Sequence, residues 1–278
     1  MIIILPVNFF PAFALTLIAG LATGIGGIIA VYASKSKHFL PFSLGFSAGV
    51  MIYVSFVELF FEAKQQLIAQ QGAIGSVLVV IGFFLGMLII TIIDKLLPEE
   101  HNPHEVANTA SYHENHTKME YHHHHYSMDN RLKKVGLMTT VGIVIHNFPE
   151  GIATFASGVK DMRLGVVICV AIAIHNIPEG IAVAVPIFYS TDSKPKALRM
   201  AFLSGLAEPA GALVGMLILN KFMNDTVFGM LLAAVAGIMV FISLDELLPT
   251  AQEYGEHHVS IYGLITGMAV MAITLLVL

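Results

Sequence analysis

The sequence predicts an all-α integral membrane protein with eight transmembrane helices. Its 278 residues are 56% hydrophobic and only 12% charged, and the mean hydropathy is +0.78, whereas soluble domains carry roughly 25% charged residues. Apolar stretches of about 20 residues, the length that a helix needs to cross a bilayer, recur along the chain. A polar motif occurs twice, in two successive stretches. Together these features favour a helix bundle in a lipid bilayer with a polar site inside it.

The membrane spans are predicted from the length of the apolar stretches. They cover residues 7–33, 39–61, 72–97, 134–159, 164–190, 199–220, 226–248 and 259–278. The first 34 residues contain no Lys, Arg, His, Asp or Glu, so the cationic start of a cleaved signal peptide is missing. We therefore expect the first stretch to be a retained span, and residues 1–278 to form a single transmembrane domain.

One link between the spans is long and polar. It runs from about 98 to 134 and contains eight histidines, a composition typical of a disordered or metal-binding segment. Lys and Arg accumulate in short cytoplasmic loops. With the N-terminus outside, the inner loops hold ten of these residues and the outer loops four. The count predicts that both termini lie outside and that the histidine-rich loop is cytoplasmic.

The charge and cysteine content exclude several classes of function. A net charge of -5 gives no basic face for a nucleic-acid partner. Cys169 is the single cysteine, so disulfides and cysteine-rich metal sites are excluded. The chain has no phosphate-binding loop of the form G-x-x-x-x-G-K, which argues against transport driven by its own nucleotide hydrolysis. Any metal chemistry must use imidazole, carboxylate and amide ligands.

An internal repeat is the strongest signal in the sequence. The octapeptide 146–153, His-Asn-Phe-Pro-Glu-Gly-Ile-Ala, recurs at 175–182 as His-Asn-Ile-Pro-Glu-Gly-Ile-Ala. Consecutive spans run in opposite directions, so the two copies face each other as in an inverted-repeat transporter. Five Gly-x-x-x-Gly pairs predict close helix contacts; they are Gly20/Gly24, Gly45/Gly49, Gly82/Gly86, Gly211/Gly215 and Gly263/Gly267.

The motif residues are predicted to hold a divalent metal. Glu150, Glu179 and Glu208 lie near the middle of three consecutive spans, where ionisable groups persist only if they pair, face water or bind something. Each motif glutamate shares a helix face with two other polar residues. They are the histidine four residues before it and the asparagine three residues before it. Several carboxylates in a low-dielectric site need positive compensation, and the mixture of imidazole and oxygen ligands favours borderline transition metals. The candidate ligands are His146, Asn147, Glu150, His175, Asn176, Glu179 and Glu208.

Prolines accompany these acids in each of the three spans. Pro149, Pro178 and Pro209 each remove a helix hydrogen bond in mid-span. Loosened backbone that lines a polar cavity is typical of transporter binding sites. The sequence therefore predicts disturbed helices at the site. A hydrogen-bonded cluster that only holds the bundle together is the structural alternative for the same residues.

Other acids lie nearer the ends of the spans. Glu58 lies near the outer end of the second span, and Asp245 and Glu246 near the inner end of the seventh. These residues are interpreted either as acids at the entrance and exit of a metal pathway or as interfacial and capping residues. The sequence alone does not choose between the two interpretations.

With these motifs in place, the chain resembles the ZIP (Zrt/Irt-like) family of metal transporters, and its doubled motif looks most like the bacterial ZupT branch. The resemblance covers essentially the whole chain. It implies a bundle of eight spans in an inverted 3+2+3 repeat. It also implies uptake of Zn²⁺, and often Fe²⁺, Mn²⁺, Co²⁺ or Cd²⁺, into the cytoplasm across the cell inner membrane. The metal would be cargo, and no prosthetic group or enzymatic activity is implied.

The resemblance also implies a binuclear site. A first metal would be held by Glu150, His175 and Glu179, with His146 nearby. A second would use Asn147, Asn176 and Glu208, with the two motif glutamates bridging. The expected partners are divalent metal ions and the lipid bilayer, and a homodimer is left open.

Two rival functions would use some of the same residues. Paired His and Glu positions on facing helices also occur in dinuclear carboxylate enzymes, so an intramembrane dinuclear metalloenzyme is the main alternative. The predicted spans contain no E-x-x-H pair, and the chain has no H-E-x-x-H pattern and no assignable nucleophile, which argues against it. A proton or sodium channel would leave the imidazole-rich arrangement unexplained.

Overall fold

The computed structural model describes residues 8–33, 36, 38–96, 120–217, 224–254 and 257–277. Every regular element in these ranges is a helix. The α-helices are α1 (Phe9–Ala33), α2 (Phe39–Val54), α3 (Phe60–Gln71), α4 (Ala73–Leu96), α5 (Glu120–Lys160), α6 (Met162–Thr191), α7 (Lys194–Gly205), α8 (Ala207–Leu217), α9 (Asp225–Ile242), α10 (Leu248–Glu253) and α11 (His257–Val277). Short π-helices, Ser55–Leu59 and Ser243–Leu247, join α2 to α3 and α9 to α10.

Seven helical stretches in the described part of the chain are long and apolar enough to cross a membrane. They are Phe9–Ala33, Phe39–Gln71, Ala73–Leu96, Gly165–Thr191, Lys194–Met216, Asp225–Glu253 and His257–Val277. The prediction of an all-α, multi-pass membrane protein is confirmed. The predicted fourth span lies within α5 and is not among the seven, since the motif residues His146, Asn147 and Glu150 lower its hydropathy. The count of eight spans stays a prediction.

The helix α5 begins earlier than the sequence analysis expected. Residues 120–134 were assigned to the polar loop, but the backbone is already helical from Glu120. This stretch contains no proline and no glycine, the residues that most strongly interrupt a helix. The helix can therefore extend toward the N-terminus through it. The remainder of the histidine-rich loop, residues 97–119, lies outside the described residues.

The helices form two groups that contact each other. The first group packs α1, α5, α6, α7 and α8 together, and the second packs α2, α3, α4, α9 and α11. Helices α2 and α6, and helices α5 and α9, make most of the contacts between the groups. The motif helices α5 and α6 therefore lie where the two groups meet.

Equivalent packing contacts occur twice in the first group. A Cβ atom on Gly26 of α1 would lie 2.0 Å from the carbonyl oxygen of Ile177 on α6. A Cβ atom on Gly211 of α8 would lie 2.1 Å from the carbonyl oxygen of Phe148 on α5. Ile177 and Phe148 are the same position in the two motif copies. Helix α1 thus packs on α6 as α8 packs on α5, in agreement with the predicted internal repeat.

A second repeat escaped the sequence analysis. Residues 47–60, SAGVMIYVSFVELF, match residues 235–248, VAGIMVFISLDELL, and each copy ends in a π-helix. The copies place Glu58 and Glu246 at the same position of the two π-helices. The predicted close contacts through glycine pairs are also present here, because Cβ atoms on Gly45 and Gly49 would lie 2.2 and 2.1 Å from carbonyl oxygens of α11.

Candidate metal centre

Helices α5 and α6 carry the two motif copies, and both continue through their motif prolines. A proline removes one backbone hydrogen bond, and the adjacent turns still hold the helix in place. The break occurs instead in the sixth predicted span, where α7 ends at Gly205 and α8 begins at Ala207. The predicted helix break is therefore present just before Pro209. The helices are not interrupted at Pro149 or Pro178.

All seven predicted ligands are buried. Their exposed fractions range from 0% to 5%, and the residues are His146, Asn147, Glu150, His175, Asn176, Glu179 and Glu208. Polar groups are buried at this level only when they are paired or bind an ion. The structure therefore buries every residue that the sequence predicted for the site.

The two imidazoles contact the two motif carboxylates across the helix pair. His175 Nε2 lies 3.1 Å from Glu150 Oε1. His146 Nε2 lies 3.2 Å from the same oxygen and 3.0 Å from Glu179 Oε1. Two atoms bound to one tetrahedral Zn²⁺, each about 2.0 Å from the ion, lie about 3.3 Å apart. The separations therefore fit ligands that surround a single ion.

The alignment of His146 supports the same interpretation. Its Nε2 is close to two carboxylates, yet it makes no aligned hydrogen bond within the described part of the chain. Ligand atoms of His146, His175 and Glu179 lie within 4.8 Å of one another. Ligand atoms that converge in this way can hold a cation between them.

The asparagines form the other half of the centre. Asn176 donates its amide N–H groups to the carbonyl of Ala19, at 2.8 Å, and to Glu208 Oε1. In the amide orientation that satisfies its contacts, Asn147 donates to the carbonyl of Ile143 and to Glu179 Oε2, at 3.2 Å each. Asn176 Oδ1 and Glu208 Oε2 have no hydrogen-bond partner among the described residues. Buried oxygens of this kind are costly unless a cation binds them.

The glycine of each motif copy has a steric role that the sequence analysis missed. A Cβ atom on Gly151 would lie 1.9 Å from the carbonyl oxygen of Glu208, and one on Gly180 would lie 1.8 Å from that of Thr23. Only glycine permits backbones to approach this closely. The two glycines therefore let α8 and α1 press onto the motif helices at the level of the site.

Thr23 is a further residue that was missed. It is fully buried, and its Oγ1 has no hydrogen-bond partner among the described residues. The signal that identifies it is a repeat between residues 19–27, AGLATGIGG, and 204–212, SGLAEPAGA, which aligns Thr23 with Glu208. Thr23 thus occupies in α1 the place that Glu208 occupies in α8.

A cavity of about 320 Å³ leads to the centre. Glu150 and His175 line its buried end, and Glu58 and Glu62 line its wall. The exposed N-terminus of α9, at Asp225, also borders it. The cavity therefore connects the exposed end of the second helix group with the motif ligands.

A second cluster of carboxylates lies apart from this cavity. Oxygens of Asp94, Asp245 and Glu246 approach within 4.8 Å of one another. Lys134 Nζ lies 3.0 Å from Asp94 Oδ1 and offsets part of the negative charge. The interpretation of Asp245 and Glu246 as exit acids stays a prediction.

Comparison with known proteins agrees with this geometry. The family model of the ZIP zinc transporters matches residues 96–275. The chain is 55% identical to the zinc transporter ZupT of Clostridium perfringens over 281 residues, which cover 97% of this chain and 96% of the relative. It is 54% identical to the zinc transporter ZupT of Streptococcus mutans over 271 residues, which cover 97% and 98%. It is 56% identical to that of Oceanobacillus iheyensis over 273 residues, which cover 98% and 99%. The chain therefore belongs to the ZIP zinc transporter family.

Proposed function

We propose that this protein carries zinc across the cell inner membrane into the cytoplasm, and that the ion passes through the buried centre between α5 and α6. The observation that carries the proposal is the convergence of two imidazoles on the carboxylates of Glu150 and Glu179, at 3.0–3.2 Å. Imidazole and carboxylate together suit Zn²⁺. The relatives named above are zinc transporters, which favours zinc as the main cargo.

The centre is proposed to bind two ions. Glu179 presents Oε1 to His146 and Oε2 to Asn147, so its carboxylate faces both halves of the site. The first ion would be held by Glu150, His175 and Glu179 near His146. The second would lie toward Asn147, Asn176 and Glu208, where unpartnered oxygens supply harder ligands. Such ligands suit Mn²⁺ and Fe²⁺ better than imidazole does, and Co²⁺ and Cd²⁺ are further proposed cargo.

Each part of the site then has a role in transport. The carboxylates replace the hydration shell of the ion and neutralise its charge in a low-dielectric interior. The imidazoles select borderline metals over Ca²⁺ and Mg²⁺. With both termini outside, the cavity beside Asp225 opens on the outer face, and the ion moves from it through the centre toward the cytoplasmic loop.

The intramembrane metalloenzyme is the competing function. Membership in a transporter family favours transport, and the described site contains no group placed as a nucleophile beside a base. Flux of metal without turnover of an organic substrate separates the two functions.

The test uses the full chain reconstituted in liposomes that contain a zinc-sensitive dye. We expect zinc influx that saturates with external Zn²⁺ and is lost in Glu150→Ala. Glu253→Ala is the matched control, since Glu253 is an exposed acid in α10 outside the site, and we expect it to transport like the parent. Equal influx in Glu150→Ala and the parent would contradict the proposal.

A further inference from the structure

We propose that Glu58 is a capture ligand, which binds the metal ion in the cavity and passes it to Glu150 and His175. The inference rests on the proposed function, because it concerns how the ion reaches the same centre. It assigns a role to a side chain of the second helix group, whereas the centre itself is built from α5, α6 and α8.

The cavity arranges carboxylates in order of depth. Asp225 and Glu62 are exposed, Glu58 is partly buried, and Glu150 is 5% exposed. All four line the same space of about 320 Å³. An ion that loses its water in steps needs a ligand at each depth, because complete dehydration in a single step is costly. Glu58 supplies the intermediate step.

The side chain of Glu58 is free to accept a cation. Its Oε2 is shielded from solvent and has no hydrogen-bond partner among the described residues. Glu58 lines the same cavity as His175 and Glu150. A Zn²⁺ ion between Glu58 and the motif residues would offset the repulsion of the two carboxylates and satisfy the open oxygen.

The π-helix gives Glu58 this position. The backbone N–H of Phe60 bonds to the carbonyl of Ser55, five residues back, so one extra residue is accommodated in the turn. An extra residue rotates the following helix by about 100° relative to a regular α-helix. π-helical turns of this kind occur frequently at functional sites. Without the extra residue, the side chain of Glu58 would have a different direction relative to Glu62 and Ala63, which follow in α3.

The experiment measures initial zinc uptake in liposomes over a range of external zinc concentrations. For Glu58→Gln we expect the KM for zinc to rise by roughly fivefold to tenfold with a Vmax near that of the parent, as for the loss of one favourable charge contact. Glu62→Gln, which alters an exposed residue of the same cavity, should raise KM by a smaller factor. Glu253→Gln is the control and should leave KM unchanged.

A further variant separates coordination from simple attraction of charge. An imidazole binds zinc without a permanent negative charge, so Glu58→His should keep KM within about twofold of the parent. Zinc binding at the buried centre, measured by calorimetry in detergent, should remain intact in Glu58→Gln, which also shows that the variant is folded.

Three results would overturn the inference. The KM of Glu58→Gln could equal that of the parent, Glu58→His could be as impaired as Glu58→Gln, or Glu58→Gln could lose zinc binding at the centre. The proposed function would still stand in each case if the parent transports zinc and Glu150→Ala does not. If the parent itself moves no zinc, the proposed function fails first.

Discussion

Ser47 Oγ donates a hydrogen bond of 2.7 Å to the carbonyl oxygen of Pro178. Ser47 lies on α2 in the second helix group, and Pro178 lies one residue before the proposed ligand Glu179 on α6 of the first group. The bond is buried and joins residues 131 positions apart. It therefore connects the metal centre to the group of helices that packs beside it.

Without this bond, the arrangement of the two helix groups seen in the structure should be less populated. Hydrogen bonds between membrane helices contribute about 0.6 kcal/mol on average, which corresponds to about a threefold change in population. In Ser47→Ala, we expect a cysteine at the cavity residue Ser157 to react about two- to threefold more slowly with a small thiol reagent, in a Cys169→Ser background. The cavity is open in the arrangement that the bond stabilises.

Ser43→Ala is the matched control for this variant. Ser43 is buried on the same helix, but its hydroxyl bonds to the carbonyl of Leu40 one turn earlier. Labelling in this control should match the parent. Equal labelling of Ser47→Ala and Ser43→Ala would show that the bond to Pro178 does not hold the groups in place.

Loss of the motif glutamates should be more severe than loss of Glu208. Glu150 contacts both imidazoles of the first proposed ion, and Glu179 faces both halves of the centre, so Glu150→Ala removes the carboxylate on which the imidazoles converge and Glu179→Ala affects both proposed ions. We expect zinc affinity to fall by roughly 100-fold or more and uptake to be lost. Glu208→Ala should retain zinc uptake and alter the preference among zinc, iron and manganese.

The ordering is measured by calorimetry in detergent together with radiometal uptake for each variant. Correct folding is checked by size-exclusion chromatography. The assignment of the motifs to metal binding is wrong if Glu150→Ala and Glu179→Ala bind and transport zinc like the parent.

A methyl group at the motif glycine should damage the site without removing a ligand. In Gly151→Ala, the new Cβ would lie 1.9 Å from the carbonyl oxygen of Glu208, and neither backbone can yield without moving α8. Overpacking of this kind costs about 1–3 kcal/mol or more. We expect lower thermal stability in detergent and weaker zinc binding.

Gly215→Ala on α8 is the comparison for this prediction. The three atoms nearest to its Cβ would all belong to the side chain of Ile152, the closest at 3.0 Å, and a small side-chain movement relieves this contact. Its melting temperature should stay closer to that of the parent. If both variants have the same melting temperature and bind zinc equally well, the contact between Gly151 and Glu208 is not essential.

The distribution of Lys and Arg predicts the orientation of the chain in the membrane. A cysteine in place of His116, in a Cys169→Ser background, should resist an impermeant thiol reagent on intact cells and react after lysis. His116 lies in the loop outside the described residues, so its position in the membrane topology rests on the charge count alone. Rapid labelling on intact cells would reverse the topology and the proposed direction of transport.

Much of this protein was determined by local patterns in the sequence. The apolar stretches specify membrane helices because a helix satisfies its own backbone hydrogen bonds in lipid. The site residues were identified by their spacing, since positions four apart share a helix face, and by the cost of placing Glu150, Glu179 and Glu208 in mid-span. These are properties of single segments, and no knowledge of the neighbouring helices is needed to predict them.

Other features depend on how distant segments of the chain pack against one another. The role of Gly151 depends on the approach of α8, and the bond from Ser47 to Pro178 depends on how α2 lies against α6. The π-helix at Ser55–Leu59 also aims Glu58 at a cavity whose remaining wall comes from α5, α6 and α9. Such contacts join residues far apart in the chain, so their distances result from packing and have no counterpart in the local pattern of any one helix.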